Sequence, residues 1–109
     1  MSSLSTVIYP DIIREISATL FNNTFLPVGG PLLQPCRLIK FLNNTNVAVS
    51  ISWDGVNTHD FLPAGGFLLL DIATNKENAS AFDIQTGTQF YVAGLTGTGN
   101  FFISNYFGK

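Results

Sequence analysis

The sequence predicts an all-β protein, a single antiparallel β-sandwich or jelly-roll-like barrel of about eight short strands. Ten Phe and three Tyr stand among many β-branched residues, a composition typical of strands. Ten Gly and five Pro are spread along the chain, and turn motifs recur at intervals of roughly 8–12 residues. The length of 109 residues favours one domain. We therefore assign residues 1–109 to one sandwich, with residues 1–12 as an extended N-terminal arm.

The first half of the chain contains one ambiguous element and two clear ones. The apolar residues of segment 13–21 fit one face of a helix as well as one face of a strand, and the all-β surroundings favour a strand. Residues 36–42 form the next predicted strand. The run Asn43–Asn46 predicts a turn, because Asn tolerates positive φ and bonds its own backbone. The clearest strand is 47–53, where apolar residues alternate with Ala and Ser.

Turn motifs divide the second half of the chain. Asp54-Gly55 predicts a hairpin with a two-residue loop, and residues 63–66 predict another turn. A polar loop is predicted over 73–80, a turn over 86–88, and the last hairpin loop over 96–100. The predicted strands, in chain order, are 13–21, 36–42, 47–53, 58–62, 67–72, 81–85, 89–95 and 101–107.

The charge and cysteine content exclude several classes of protein. The five Lys and Arg residues are isolated from one another and the formal net charge is −2, whereas nucleic-acid binding requires clustered positive charge. The longest apolar run, 61–70, is interrupted by Pro and Gly and is too short to span a bilayer. The first residues lack the pattern of a signal peptide. We therefore predict no nucleic-acid or membrane partner and synthesis in a cytoplasm.

Trp53, Asp54, His59 and Asp60 cluster within eight positions and invite a metal or acid–base interpretation. Adjacent strand residues such as His59 and Asp60 point to opposite faces, so they cannot both reach one ion. One Cys and one His in the whole chain give no Cys/His metal framework. We predict no catalytic residue, metal or cofactor. Trp53, Asp54 and Gly55 are assigned structural roles, as a core aromatic residue followed by a turn.

Segments 67–72 and 101–107 carry large apolar side chains on both alternating faces. One face of an antiparallel strand ordinarily meets water and is polar. The second apolar face is either covered within the domain or forms a subunit interface. Only 11% of the residues are charged, which favours the interface. The candidate interface residues are Phe67, Leu69, Phe102 and Tyr106.

The stretch "RLIKFLNNTNVAVSISWDGVNTHDFLPAGGFLLLDIATNK", followed by "GTQFYVAGLTGTGNFFISNYFG", resembles small β-sandwich structural proteins of tailed bacteriophages. The resemblance covers about two-thirds of the chain, from Arg37 onward. It implies a non-enzymatic viral protein of the virion, as a capsid decoration, neck or tail subunit. The implied partners are further copies of the chain, in a homo-oligomer, and other virion proteins. The implied location is the virion, after synthesis in the host cytoplasm.

Two other hypotheses remain open from the sequence. The first is a carbohydrate-binding β-sandwich module, in which an exposed Trp53 beside Asp54 and Asn57 stacks on a sugar. A buried Trp53 favours the structural hypothesis instead. The second is a hydrolase that uses Asp54, His59 or Cys36, for which the sequence offers no supporting spacing.

Overall fold

The computed structural model describes residues 8–33, 36, 38–71 and 84–108, and these residues form two antiparallel β-sheets packed together. The predicted all-β sandwich is confirmed. Besides the strands, the described residues contain one 3-10 turn, Ala18–Leu20. The strands are β1 Ile8–Pro10, β2 Arg14–Ser17, β3 Leu26–Pro27, β4 Leu38–Thr45, β5 Val49–Ser52, β6 Asp60–Leu62, β7 Phe67–Asp71, β8 Tyr91–Ala93 and β9 Gly99–Gly108.

The strand order is that of a jelly roll. In the first sheet β1 and β2 pair with successive parts of β9, which pairs with β4, which pairs with β7. The second sheet has the order β3-β8-β5-β6. If β1 and β2 count as one interrupted strand, the eight strands follow the orders 1-8-3-6 and 2-7-4-5. Two four-stranded sheets connected in this way are the double Greek key of jelly-roll domains.

The core lies between the sheets and is rich in aromatic rings. Phe41 of β4 contacts Phe90 edge-to-face at 5.3 Å and Phe101 of β9 at 6.4 Å. These three rings are fully buried, as are Ile39, Val49, Ile51, Val92 and Ile103 on the alternating inward positions of their strands. The period-two pattern of each strand therefore places one apolar set in the core, as the alternation predicts.

Strand bounds differ from the predicted ones at two polar segments. Segment 13–21 is a strand only as far as Ser17, whose Oγ accepts a hydrogen bond from the Thr19 backbone N–H and starts the 3-10 turn. The predicted turn Asn43–Asn46 is wrong in its first three residues, because β4 continues through Thr45. Asn43 is fully buried in that strand, and its side chain bonds both nearby groups of Thr45 and Val47 and the distant carbonyls of Leu62 and Pro63.

Two predicted hairpins also need correction. Strands β5 and β6 do pair as a hairpin, but the loop between them is 53–59 and not the two residues Asp54-Gly55. The predicted hairpin loop 96–100 is wrong in kind, because β8 belongs to the second sheet and β9 to the first. That segment crosses the sandwich from one sheet to the other. The predicted turns at 63–66 and 86–88 are confirmed by backbone bonds from Gly66 N–H to Pro63 O and from Thr88 N–H to Gln85 O.

Several predictions fall partly outside the described residues. The predicted loop 73–80 lies outside them, and so does all of strand 81–85 except its last two residues. Ile84 forms a bridge with Cys36, with backbone N–H to O distances of 2.8 and 2.9 Å. In the predicted arm 1–12, residues Ile8–Pro10 pair with β9 as strand β1. No helix long and apolar enough to cross a membrane occurs in the described part of the chain.

Candidate functional site

The loop 53–59 carries most of the chemistry-bearing residues that the sequence singles out. Asp54 Oδ1 accepts hydrogen bonds from the backbone N–H groups of Val56 at 2.8 Å and Asn57 at 2.9 Å. Ser52 Oγ donates to the same oxygen at 2.9 Å, and the Asn57 side chain donates to Oδ2 at 3.0 Å. The backbone N–H of Asn57, then that of Val56 and the two side chains, hold the pKa of Asp54 well below its ordinary value. Both carboxylate oxygens are used within the loop.

Trp53 and His59 also have structural contacts. Trp53 is partly buried against the core rather than fully buried, and its ring meets Phe90 edge-to-face at 5.1 Å. The Trp53 backbone N–H donates to His59 Nδ1 at 3.0 Å, so Nδ1 is the unprotonated ring nitrogen in this arrangement. The His59 backbone N–H donates to Ile51 O at 2.8 Å and closes the loop.

The ligand and nucleophile combinations that the sequence invites do not come together in the described residues. No group of three His, Cys, Asp or Glu side chains that could hold a metal ion occurs in the described residues. Cys36 is fully buried in the core, whereas His59 is exposed on the loop. Asp54 and His59 therefore hold the loop together in this structure, whereas Asp60 begins β6. Gly55 has φ +79°, which confirms the left-handed conformation expected after Asp54.

The four candidate interface residues lie on one surface, the outward face of the first sheet. Phe67 and Leu69 of β7 are 66% and 53% exposed, and Phe102 and Tyr106 of β9 are half-buried. Their inward neighbours on β9, Phe101 and Ile103, are fully buried. We name this surface the outer apolar face, and it comprises Leu38, Leu42, Phe67, Leu69, Phe102 and Tyr106.

The strand register arranges these side chains in rows across the sheet. Leu42 of β4 pairs with Phe67 on one side and with Phe102 on the other. Leu38, four residues earlier in β4, pairs with Tyr106. Directly opposite side chains in an antiparallel pair stand about 4.5–5.5 Å apart, so Phe67, Leu42 and Phe102 form a continuous apolar strip across β7, β4 and β9. Leu38 and Tyr106 form a shorter strip across β4 and β9.

The charged residues Lys40 and Glu15 also lie on this face. Lys40 of β4 stands between Leu38 and Leu42 along the strand and pairs with Leu69 and Ser104 in the neighbouring strands. Its side chain is exposed, and its aliphatic part is positioned to cover apolar neighbours. Glu15 of β2 is opposite Phe102, and its Oε1 accepts a hydrogen bond from the Asn100 side chain at 3.1 Å. One cation and one anion therefore lie on opposite sides of β9.

The sequence interpretation missed Leu38 and Leu42. The signal was present, because the run "LIKFL" is apolar at both alternating positions except for Lys40. The predictions used that criterion for segments 67–72 and 101–107 but not for 36–42. The register shows that the missed strand joins the other two, since β4 lies between β7 and β9.

A buried polar cluster at the other edge of the first sheet was also missed. Arg14 is 9% exposed, and its guanidinium donates to Asp11 Oδ2 at 3.2 Å, to Asn105 Oδ1 at 2.8 Å and to the Gly30 carbonyl at 2.9 Å. Burial raises the pKa of Asp11, but hydrogen bonds from Asn105, Ile12 and Arg14 and the Arg14 charge outweigh it, so the net pKa is lowered.

The cluster lies beneath a shallow groove of about 350 Å³. The exposed side chains of Ile12, Ile13 and Leu33 line it. Gly29 also lines the groove, and a Cβ at Gly29 would lie 2.8 Å from Arg14 Cγ. The cluster thus has a structural role, which is to anchor the segment 29–31 to β2.

Comparison with known proteins adds no relative. No protein-family model, no curated protein and no solved structure matches this chain.

Proposed function

We propose that the chain is a non-enzymatic structural component of a bacteriophage virion, a capsid-decoration, neck or tail subunit that acts through contacts with itself and with other virion proteins. The observation that carries the proposal is the outer apolar face. It brings large apolar side chains of three adjacent strands to the surface, with Phe67 and Leu69 more than half exposed and the β4 and β9 members half-buried.

The size of the face suits a contact surface. Strands about 4.8 Å apart and side chains about 6.8 Å apart along each strand give a face of roughly 300 Å² for three strands and three rows. Apolar patches of this size on small proteins are often functional. Stable pairwise interfaces bury about 800 Å² on each partner, so one such face supports a weak contact. Weak contacts suffice where many copies are held close together on a particle.

Fold and sequence pattern support the same proposal. Jelly rolls are frequent among viral capsid domains, but they also occur in lectins and cupins, so the fold alone does not assign a function. The stretch that resembles phage structural proteins covers β4 to β7 and β8 to β9. These strands supply the six residues of the outer apolar face.

Purified virions of the phage that carries this gene would test the proposal. We expect mass spectrometry to detect the chain as a stoichiometric component. A Leu42→Ser/Phe102→Ser variant should remain soluble and fold, but be lost from particles. Phe61→Ser is the matched control, because Phe61 is 61% exposed and lies on the second sheet. Absence of the wild-type chain from virions would refute the proposal.

The carbohydrate-binding alternative has less support from the loop geometry. The Trp53 ring packs on Phe90, and both oxygens of Asp54 and the amide of Asn57 already bond each other. A sugar would have to displace these contacts. A glycan array with the wild-type chain and a Trp53→Ala variant separates the hypotheses: binding that is lost in the variant would favour the lectin function.

A further inference from the structure

Among the described residues, strand β7 is the sheet edge that is least protected against pairing with another strand. Edge strands are usually shortened or carry Pro or charged residues, because their unpaired backbone groups attract other strands. Strand β3 has two residues and contains Pro27, and β6 has three residues and begins at Asp60. Strand β1 ends in Pro10. Strand β7 has five residues and ends at Asp71, but the four residues before it, Phe67 to Leu70, are all apolar.

The register shows which backbone groups of β7 face outward. Asn43 N–H donates to Gly66 O at 2.8 Å, so this pair is a hydrogen-bonded pair of the β4–β7 ladder. Hydrogen-bonded pairs alternate along an antiparallel ladder, so the backbone groups of Leu68 and Leu70 also point to β4. Those of Phe67, Leu69 and Asp71 point away from it. Among the described residues, no other strand pairs with this edge.

We propose that β7 pairs antiparallel with β7 of a second copy, about a two-fold axis that passes through Leu69. In this register Leu69 faces Leu69 of the other copy, and Phe67 faces Asp71 at both ends. The three outward residues of each strand then form hydrogen-bonded pairs, which gives about six N–H···O=C bonds. A register shifted by one residue would satisfy fewer of them.

A second copy fits this edge better than an unrelated strand because the edge is complementary to itself. The central residues Leu68, Leu69 and Leu70 meet apolar residues of the same segment, so no charge is buried. The Asp71 positions of the two copies lie at opposite ends, roughly 14 Å apart along the strands, so the two acidic residues do not face each other. Isologous contacts of this kind are the commonest way in which identical chains associate.

The pairing would also enlarge the contact surface of the assembly. The two first sheets would become one continuous sheet with the order β9-β4-β7-β7-β4-β9 at its centre. Both outer apolar faces would lie on the same side and be joined at Phe67 and Leu69. This inference rests on the proposed function, for which it names the self-contact, while the outer apolar face remains available to other virion proteins.

A proline substitution distinguishes backbone pairing at the β7 edge from side-chain contacts of the outer apolar face. Leu69→Pro removes the outward N–H, which makes no bond within the chain, and edge strands tolerate Pro at such a position. Leu69→Ala removes nearly the same side-chain contacts but keeps the N–H, so it is the matched control. Sedimentation from about 1 to 200 μM should show a dimer for the wild type and for Leu69→Ala. For Leu69→Pro, the loss of two central bonds should weaken dimerisation at least ~30-fold.

If Leu69→Pro does not fold, the variant Phe67→Pro tests the same edge, because it removes the outward N–H of Phe67. Hydrogen exchange of the wild type tests the pairing without any variant. In the wild type the amides of Phe67 and Leu69 should gain protection as protein concentration rises, while Leu68 and Leu70 are protected at every concentration. A monomeric wild type, equal effects of Pro and Ala, or unprotected Phe67 and Leu69 amides at high concentration would overturn the inference. The virion experiment with Leu42→Ser/Phe102→Ser does not depend on these results. Failure of the β7 pairing can therefore be distinguished from failure of the proposed function.

Discussion

Arg14 and Asn105 lie 91 residues apart in the sequence, and a buried hydrogen bond of 2.8 Å joins Arg14 Nη1 to Asn105 Oδ1. Asp11 completes the cluster, because the Asn105 amide donates to Asp11 Oδ2 at 3.1 Å and the Asp11 backbone N–H donates to Asn105 O at 2.9 Å. The three side chains fasten the N-terminal strands to β9, the strand at the centre of the first sheet. Their polar groups satisfy one another, which is the condition for burying them.

Replacing Arg14 should destabilise the protein strongly. Arg14→Met leaves Asn105 Oδ1 and the carbonyl of Gly30 without their donor and removes the cation beside Asp11, so we expect a loss of about 2–4 kcal/mol. Urea unfolding measures the loss. Lys40→Met is the control, because Lys40 is exposed and makes no ion pair in the described part of the chain, and it should change stability by less than about 0.5 kcal/mol. Similar values for both variants would contradict a stabilising role of the cluster.

Asp11 should make the protein sensitive to acid. Its pKa in the folded protein is below the ordinary value of 3.8, so the unfolded chain takes up the proton first as the pH falls. The stabilisation is therefore fully present above the unfolded pKa and is lost as the pH falls through the folded pKa. We expect wild type to be more stable than Asp11→Asn at pH 7, and the difference to shrink from about pH 5 downward. A difference that is constant with pH would show that the carboxylate charge contributes nothing.

The adjacent residues Asn43 and Asn44 should lose very different amounts of stability when each is replaced by Ala. The Asn43 amide donates to the carbonyls of Val47, Leu62 and Pro63 at 2.9, 3.2 and 3.0 Å, and the residue is fully buried. Asn43→Ala removes three hydrogen bonds from a buried site, although Val47 O keeps the Thr45 hydroxyl and Pro63 O keeps the Gly66 N–H as donors, and we expect a loss of about 2–4 kcal/mol. Asn44 is exposed, so Asn44→Ala should cost less than about 0.5 kcal/mol. Thermal unfolding of both variants makes the comparison, and equal costs would refute the role of Asn43.

The same residue shows what sequence interpretation can and cannot provide. Alternation of apolar residues predicted the sandwich and the buried positions of β5, because that pattern depends only on near neighbours. Asn43 was assigned to a turn because its local chemistry fits one. It does bond nearby Thr45 and Val47, but two of its partners, Leu62 and Pro63, lie 19 and 20 residues away. The crossing from β8 to β9 was predicted as a hairpin for a similar reason, since a Gly- and Thr-rich link suits both kinds of connection.

The candidate interface illustrates the same limit. Two-sided apolar patterns identified Phe67, Leu69, Phe102 and Tyr106, but not which face each of them occupies. That assignment needs the register, which places Leu42 between Phe67 and Phe102. The Arg14 cluster gave no sequence signal, because its members are isolated polar residues whose contact depends on β2 and β9 pairing.

Gly55 and Gly65 provide a controlled comparison of two left-handed glycines. Their φ angles are +79° and +78°, so an Ala side chain causes similar backbone strain at both sites, about 1–2 kcal/mol. The surroundings differ. A Cβ at Gly55 would lie 3.2 Å from the Tyr91 ring, whereas nothing lies within 4 Å of a Cβ at Gly65.

Gly55→Ala should therefore destabilise the protein more than Gly65→Ala, by roughly 1 kcal/mol for the displaced ring. Urea unfolding of the two variants measures this difference, with the common backbone strain removed by subtraction. Tyr91→Ala is the matching background: without the ring, the two glycine substitutions should have nearly equal costs. If the difference persists when Tyr91 is absent, the contact between the loop 53–59 and β8 is not its cause.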